Sequence, residues 1–179
     1  MSESLSLQEL SQQALAAYNS SEYHKAASIF ASLAEDYTKV GENLNAAEAL
    51  NNRSVALLKA GLADEALQAV LGTDQIFASA GDTKREAQAL ANQAAALEAL
   101  KKNTEALNVY RHSAELLEQI GDKESLTYVM QSISGLQLRM GKQFDAMASM
   151  DAALASKKNL SLKERLLKKL LHMPFKMLK

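Results

Sequence analysis

The sequence predicts an all-α fold, a solenoid of stacked helical hairpins, and three observations carry that expectation. The first is an internal period. Alanine recurs at Ala26, Ala66, Ala106 and Ala146, and glycine at Gly41, Gly81 and Gly121, each set spaced by 40 residues. The second is that more than these positions keep the register. A large apolar residue (Leu10, Leu50, Leu90, Met130) precedes each alanine by 16, and a small one (Ala14, Ser54, Ala94, Ser134) by 12. Four positions after each alanine come Phe30, Val70, Tyr110 and Met150. The third is that apolar residues within each copy recur at i, i+3/4 and i+7, the helical period and not the strand period.

Each copy divides into two amphipathic helices. In the second copy "NAAEALNNRSVALLKA" is the first helix and "LADEALQAVLGTDQIFAS" the second, with Gly61 between them. The small residue on the first helix lets the second approach closely, and the repeat alanine meets it from the other side. A single hairpin cannot bury its apolar face, so the copies must stack. Between copies, "QIGDK" sets Gly121 to end one helix in a left-handed conformation and Asp122 to cap the next. A phosphate-binding glycine loop is the rival reading, but no GxGxxG or GxxxxGK[ST] pattern accompanies these glycines.

Composition bounds the function classes. Hydrophobic residues make up 47% of the 179, which excludes general disorder, and a single proline (Pro174) suits a helical chain. With no cysteine, disulfides, thiolate metal sites and a cysteine nucleophile are excluded, and a reducing, cytoplasmic setting is expected. The N-terminus "MSESLSLQEL" lacks the pattern of a signal peptide, and no apolar window is long enough to span a membrane. The histidines His24, His112 and His172 fall at unrelated repeat positions, and no HExxH or GxSxG is present. Glu65 and Glu105 recur before the repeat alanine as surface residues of the repeat. The chain therefore reads as a non-enzyme without metal or cofactor.

The net charge of −1 hides an asymmetry. Residues 157–179 carry seven lysines and Arg165 against Glu164 alone, giving +7 and leaving −8 on residues 1–156. The basic segment opens with Ser161-x-x-Glu164, a capping box. Leu162, Leu166, Leu167, Leu170, Leu171 and Met173 then form an apolar stripe, which predicts a helix from about Leu162 to His172 that caps the last hairpin. Beyond Pro174, Phe175, Met177 and Leu178 could instead reach an anionic membrane, an acidic partner or a second copy, so a homodimer is one expectation for this tail. Nucleic acid is not expected, because the body is acidic and offers no aromatic stacking platform.

The "SEYHKAASIFASL" stretch at 21–33, with Tyr23, Ala26 and Phe30, resembles the tetratricopeptide repeat. "KAGLADEALQAV" and "RMGKQFDAMASM" keep that repeat's inter-helix glycine (Gly61, Gly141) and its alanine. The resemblance covers residues 7–160 as four repeats, about 7–41, 42–81, 82–121 and 122–160, between a disordered segment 1–6 and the tail 161–179. The usual period is about 34 residues, and the usual terminal proline is absent. The longer form looks like the repeats of kinesin light chains, of spindle-orientation adaptors and of bacterial peptide sensors. It implies a right-handed superhelix that binds a protein or extended peptide in its concave groove.

In such a solenoid the first helix of each repeat lines the groove. The groove positions are Glu48, Asn51, Asn52, Val55 and Lys59 in the second repeat, and Gln88, Asn92 and Ala95 in the third. Tyr128, Gln131 and Ser132 follow in the fourth, with Gln8, Ser11 and Gln12 in the first. Amides donate and accept, so they can satisfy a bound peptide's backbone without reading its side chains. Asn52 and Asn92 stand at equivalent positions one repeat apart, and in the families resembled such asparagines hold the peptide main chain. Binding of a chaperone's carboxylate tail is disfavoured, since Gln8, Gln12, Gln88 and Asn92 occupy the places of the cations it needs. The alternative to a peptide groove is a membrane-associated or self-associating assembly factor acting through the basic tail.

Overall fold

A computed structural model describes residues 6–157 and 159–172 of the chain. Among the described residues there are ten helices and no strand: α1 (Leu7–Asn19), α2 (Tyr23–Lys39), α3 (Asn43–Lys59), α4 (Ala63–Val70), α5 (Thr73–Ser79), α6 (Thr83–Ala99), α7 (Asn103–Gln119), α8 (Lys123–Arg139), α9 (Gln143–Ser156) and α10 (Leu162–Leu171). The helices pair in sequence as α1 with α2, α3 with α4, α6 with α7 and α8 with α9, and each pair leans on the next. The result is the stacked all-α solenoid, and its hairpins fit a tetratricopeptide-like class. Segment 1–5 lies outside the described residues. Ser6, assigned from the sequence to the disordered end, caps α1 in a capping box with Glu9.

The turns explain the period. Left-handed backbone occurs at Ser21, Gly41, Gly61, Gly81, Lys101, Gly121 and Gly141, one residue in each turn that joins the two halves of a hairpin or one hairpin to the next from α1 to α9. At each, two backbone bonds close the helix end. At Gly121 they run from its own N–H to the Glu118 carbonyl, 3.1 Å, and from the Asp122 N–H to the Leu117 carbonyl, 3.0 Å. This is the Schellman arrangement, and it requires φ > 0 at the turn residue. Five of these seven interhelical turns carry the glycine that the conformation favours, whereas Ser21 and Lys101 adopt it at a steric cost.

Asp82 and Asp122 cap the helices that follow, accepting from the N–H groups of Arg85 (3.0 Å) and Ser125 (3.1 Å). Both carboxyls are held below the ordinary aspartate value. At Asp122 the leading cause is the bond from Lys84, followed by the cap itself, and at Asp82 it is the cap. A carboxyl depressed in the folded state stabilises above its ordinary pKa of 3.8 and loses that contribution as pH falls through the folded value. Replacing Asp122 by Ala is expected to cost about 1 kcal/mol at neutral pH. Urea melts of both proteins should show that gap closing on acidification below the aspartate range.

Packing follows the small-residue plan. Ala14, Ala94, Ala26, Ala66 and Ala106 are buried in one continuous core with Phe30, Leu57, Leu97, Leu117 and Leu136. The two serines at the small-residue position differ: Ser134 Oγ donates to the Ala146 carbonyl across the fourth hairpin at 2.7 Å, whereas Ser54 Oγ is buried without a hydrogen-bond partner among the described residues.

The second copy departs from the expected plan. Its second helix breaks after Val70, giving α4 and α5 in place of one helix. Gly72 sits at φ +82° as the cap of α5, and Thr73 Oγ donates to the Val70 carbonyl, covering an acceptor the break exposes. The break changes direction and not register, since the next turn residue is still Gly81. It seats Phe77, fully buried, against Ala47 of α3 and Ala89 of α6.

The terminal helix also departs from expectation. α10 forms with its capping box, Ser161 with Glu164, but none of its residues is buried. It rests on α9 by the edge that carries Glu164, Lys168 and Leu171, and its other leucines face outward. Polar ties set that posture: Lys157 pairs with Glu164 at 2.6 Å and His172 Nε2 meets Asp151 at 2.9 Å. Met173 of the apolar stripe, Pro174, and Phe175, Met177 and Leu178, for which the sequence suggests an outward reach, lie outside the described residues.

Candidate functional site

The first helices α3, α6 and α8 lie side by side, and side chains one repeat apart meet across them. Asn92 Nδ2 donates to Asn51 Oδ1 at 3.1 Å, and Asn51 Nδ2 donates to the Ala47 carbonyl at 3.0 Å. Asn51 is buried, so it belongs to the wall of the groove and not to its open surface. Asn52 and Asn92, equivalent by register, are both half-buried. They line one hollow of about 320 Å³ together with Glu48, Asn51, Phe77, Arg85 and Gln88.

A second hollow of about 640 Å³ opens between α6 and α8. Gln88 and Asn92 line it from one side, Tyr128 and Gln131 from the other, with Lys84, Asp122 and Lys157 among its rim residues. Gln88 and Asn92 therefore join the two hollows into a continuous surface. Tyr128 is among the most exposed aromatic rings of the described residues. Ser132 is half-buried and its hydroxyl donates to the Tyr128 carbonyl, 3.2 Å. Ala95 is set apart in a third hollow of about 400 Å³ with Glu98, Ala99 and Arg139. Val55 and Lys59 lie further along α3 and line neither of the first two hollows.

Electrostatics adds Lys84, Arg85 and Glu98, which the sequence reading did not single out. Arg85 bridges Glu48 (3.1 Å) and Asp82 (2.6 Å), and its guanidinium lies 5.0 Å from the Phe77 ring centroid. Lys84 pairs with Asp122 at 2.9 Å, and Arg139 pairs with Glu98. Three of these pairs, Arg85–Glu48, Lys84–Asp122 and Arg139–Glu98, join first-helix or junction residues of neighbouring copies, separated by 37, 38 and 41 residues. The signal was present in the sequence as a cation placed nearly one period from an acid. Arg85, Lys84 and Arg139 are thus each paired with a carboxylate of this chain. Beneath the groove, burial pushes the Tyr110 phenol up, with the charge of Glu98 adding to the effect.

A face of amides, one exposed tyrosine and internally paired charges has the means to hold polypeptide by hydrogen bonds and stacking. Among the described residues no group of His, Cys, Asp and Glu could hold a metal ion, and no helix is long and apolar enough to cross a membrane. Fold and surface together define a helical-repeat scaffold for protein interaction. The family model for soluble NSF attachment protein, SNAP, matches residues 6–173, nearly the whole chain. The chain belongs to the SNAP family. No curated protein matches it individually.

Proposed function

We propose that this chain is a protein-binding adaptor of the NSF-attachment type, holding a polypeptide segment on the face of its first helices. The observation that carries the reading is the joined pair of hollows in which Asn52, Gln88, Asn92, Tyr128 and Gln131 converge. An attachment protein must contact both NSF and whatever NSF is attached to, and this face supplies one of those two contacts. Its repeats belong, in this reading, to the 40-residue form of the tetratricopeptide class, with repeat boundaries at the Gly–Asp and Gly–Glu junctions. The family's name describes attachment and no reaction, in keeping with an adaptor without catalysis of its own.

The test uses positions that the fold does not need. Asn92 is a poor choice because it also ties α6 to α3. Gln88 and Tyr128 are exposed. Capture from extract of the source cells, quantified by mass spectrometry, compares the wild type with Gln88→Ala/Tyr128→Ala. NSF should be among the captured proteins. At least one partner should fall by about thirtyfold in the variant, as expected for truncating an aromatic anchor. Equal capture by both proteins would refute the groove. Absence of NSF, with a partner still lost by the variant, would refute the attachment role and leave the groove standing.

A further inference from the structure

α10 turns the wrong side to the body for a helix whose only task is to cap. Residues four apart share a helical face, and Leu162, Leu166 and Leu170 form such a row. They are 85%, 59% and 45% exposed, with Leu167 beside them also exposed. The edge that meets α9 instead carries Glu164, Lys168 and Leu171. At 100° per residue, Arg165 and Lys169 flank the leucine row on one side and Lys163 on the other. The lone acid of the helix, Glu164, is engaged by Lys157 and by its own capping box. The outward surface is therefore leucine bordered by uncompensated cations.

We propose that this face of α10 is a peripheral membrane-binding surface, which lies in the interfacial plane of an anionic lipid bilayer. Leucines enter the acyl boundary while lysines and arginine on both borders reach the headgroups, the arrangement of an interfacial amphipathic helix. Charge complementarity selects lipid over a second α10. Pairing two copies of this helix would set Lys163, Arg165 and Lys169 against the same residues of the partner helix. An anionic surface attracts every one of them. The polar ties to Glu164 and Asp151 hold the opposite edge on the body, so the leucine row is presented without any rearrangement. This inference does not rest on the groove reading, since it uses a different surface.

The experiment is co-sedimentation of the full chain with phosphatidylcholine vesicles, with and without phosphatidylserine, and light scattering of the same samples without lipid. Wild type should sediment with the phosphatidylserine vesicles and not with the neutral ones, and added salt should weaken the binding. Lys163→Glu/Lys169→Glu should reduce affinity by about twenty-five-fold or more, from roughly fivefold for each lysine. Leu166→Ser/Leu170→Ser should abolish it. Because these side chains are exposed, both variants should keep the wild-type circular dichroism and melting temperature. Failure of the wild type to bind, or equal binding by the leucine variant, would overturn the proposal. So would a lipid-independent dimer that the leucine variant dissolves, which would assign the face to a second copy.

Discussion

Phe77→Ala should lower the stability of the protein by about 3–5 kcal/mol, the cost of deleting a buried aromatic side chain and leaving its cavity. Phe77 is 1% exposed and stands in a small core of its own, between Ala47 of α3 and Ala89 of α6. These neighbours are alanines, with Leu44 beside them, so little can collapse into the vacated space. The same substitution removes the ring beneath Arg85. Arg85 would keep its pairs to Glu48 and Asp82, so the damage should be mainly loss of packing between the second and third hairpins. Denaturant unfolding should show the midpoint falling. A change below about 1 kcal/mol would mean that α5 does not hold those hairpins together.

Ala66→Leu should cost about 1–3 kcal/mol for the opposite reason. Ala66 is fully buried where α4 crosses α3. Interiors at native density have no room for three added carbons without off-rotamer side chains or a wider hairpin. The second helix of this copy is already short and ends at the Val70 break, so strain should open the hairpin locally. Thermal unfolding of the variant should show the lower midpoint, and a neutral effect would place Ala66 outside the interface.

Why the period was legible and the rest was not is a matter of which interactions are local. The turns repeat because each needs one left-handed residue, and glycine announces that need. Ser21 and Lys101 carry the same conformation without announcing it, so a count of glycines finds only part of the pattern. The α4–α5 break was visible as "LGTD", but a glycine inside an apolar helical pattern does not say whether the helix bends or stops. The direction of α10 was hidden for another reason. Its leucine stripe argues for burial, while the polar ties that turn it outward, to Lys157 in the loop before it and to Asp151 on α9, are contacts that the stripe does not announce.

The groove shows the same division. Register alone placed Asn52, Gln88, Asn92, Tyr128 and Gln131 on first helices, and the structure brings them to joined hollows. Register could not tell that Asn51 turns inward to bond Ala47 and Asn92, because a helix position one residue away differs by 100° in facing. Nor could it tell that Arg85 reaches back over Phe77 to Glu48, a contact that depends on the α4–α5 break.

Site-specific photo-crosslinking tests the central claim, that partners are held on the face of the first helices, most directly. A photoreactive phenylalanine is placed at Gln88, in both hollows, and separately at His112, on the second helix α7. Both positions are exposed, so neither replacement should disturb the core. In extract from the source cells, irradiation should give discrete adducts from position 88 and none of the same mass from position 112. Adducts from position 112 with none from position 88 would contradict the claim and move the binding surface to the second helices.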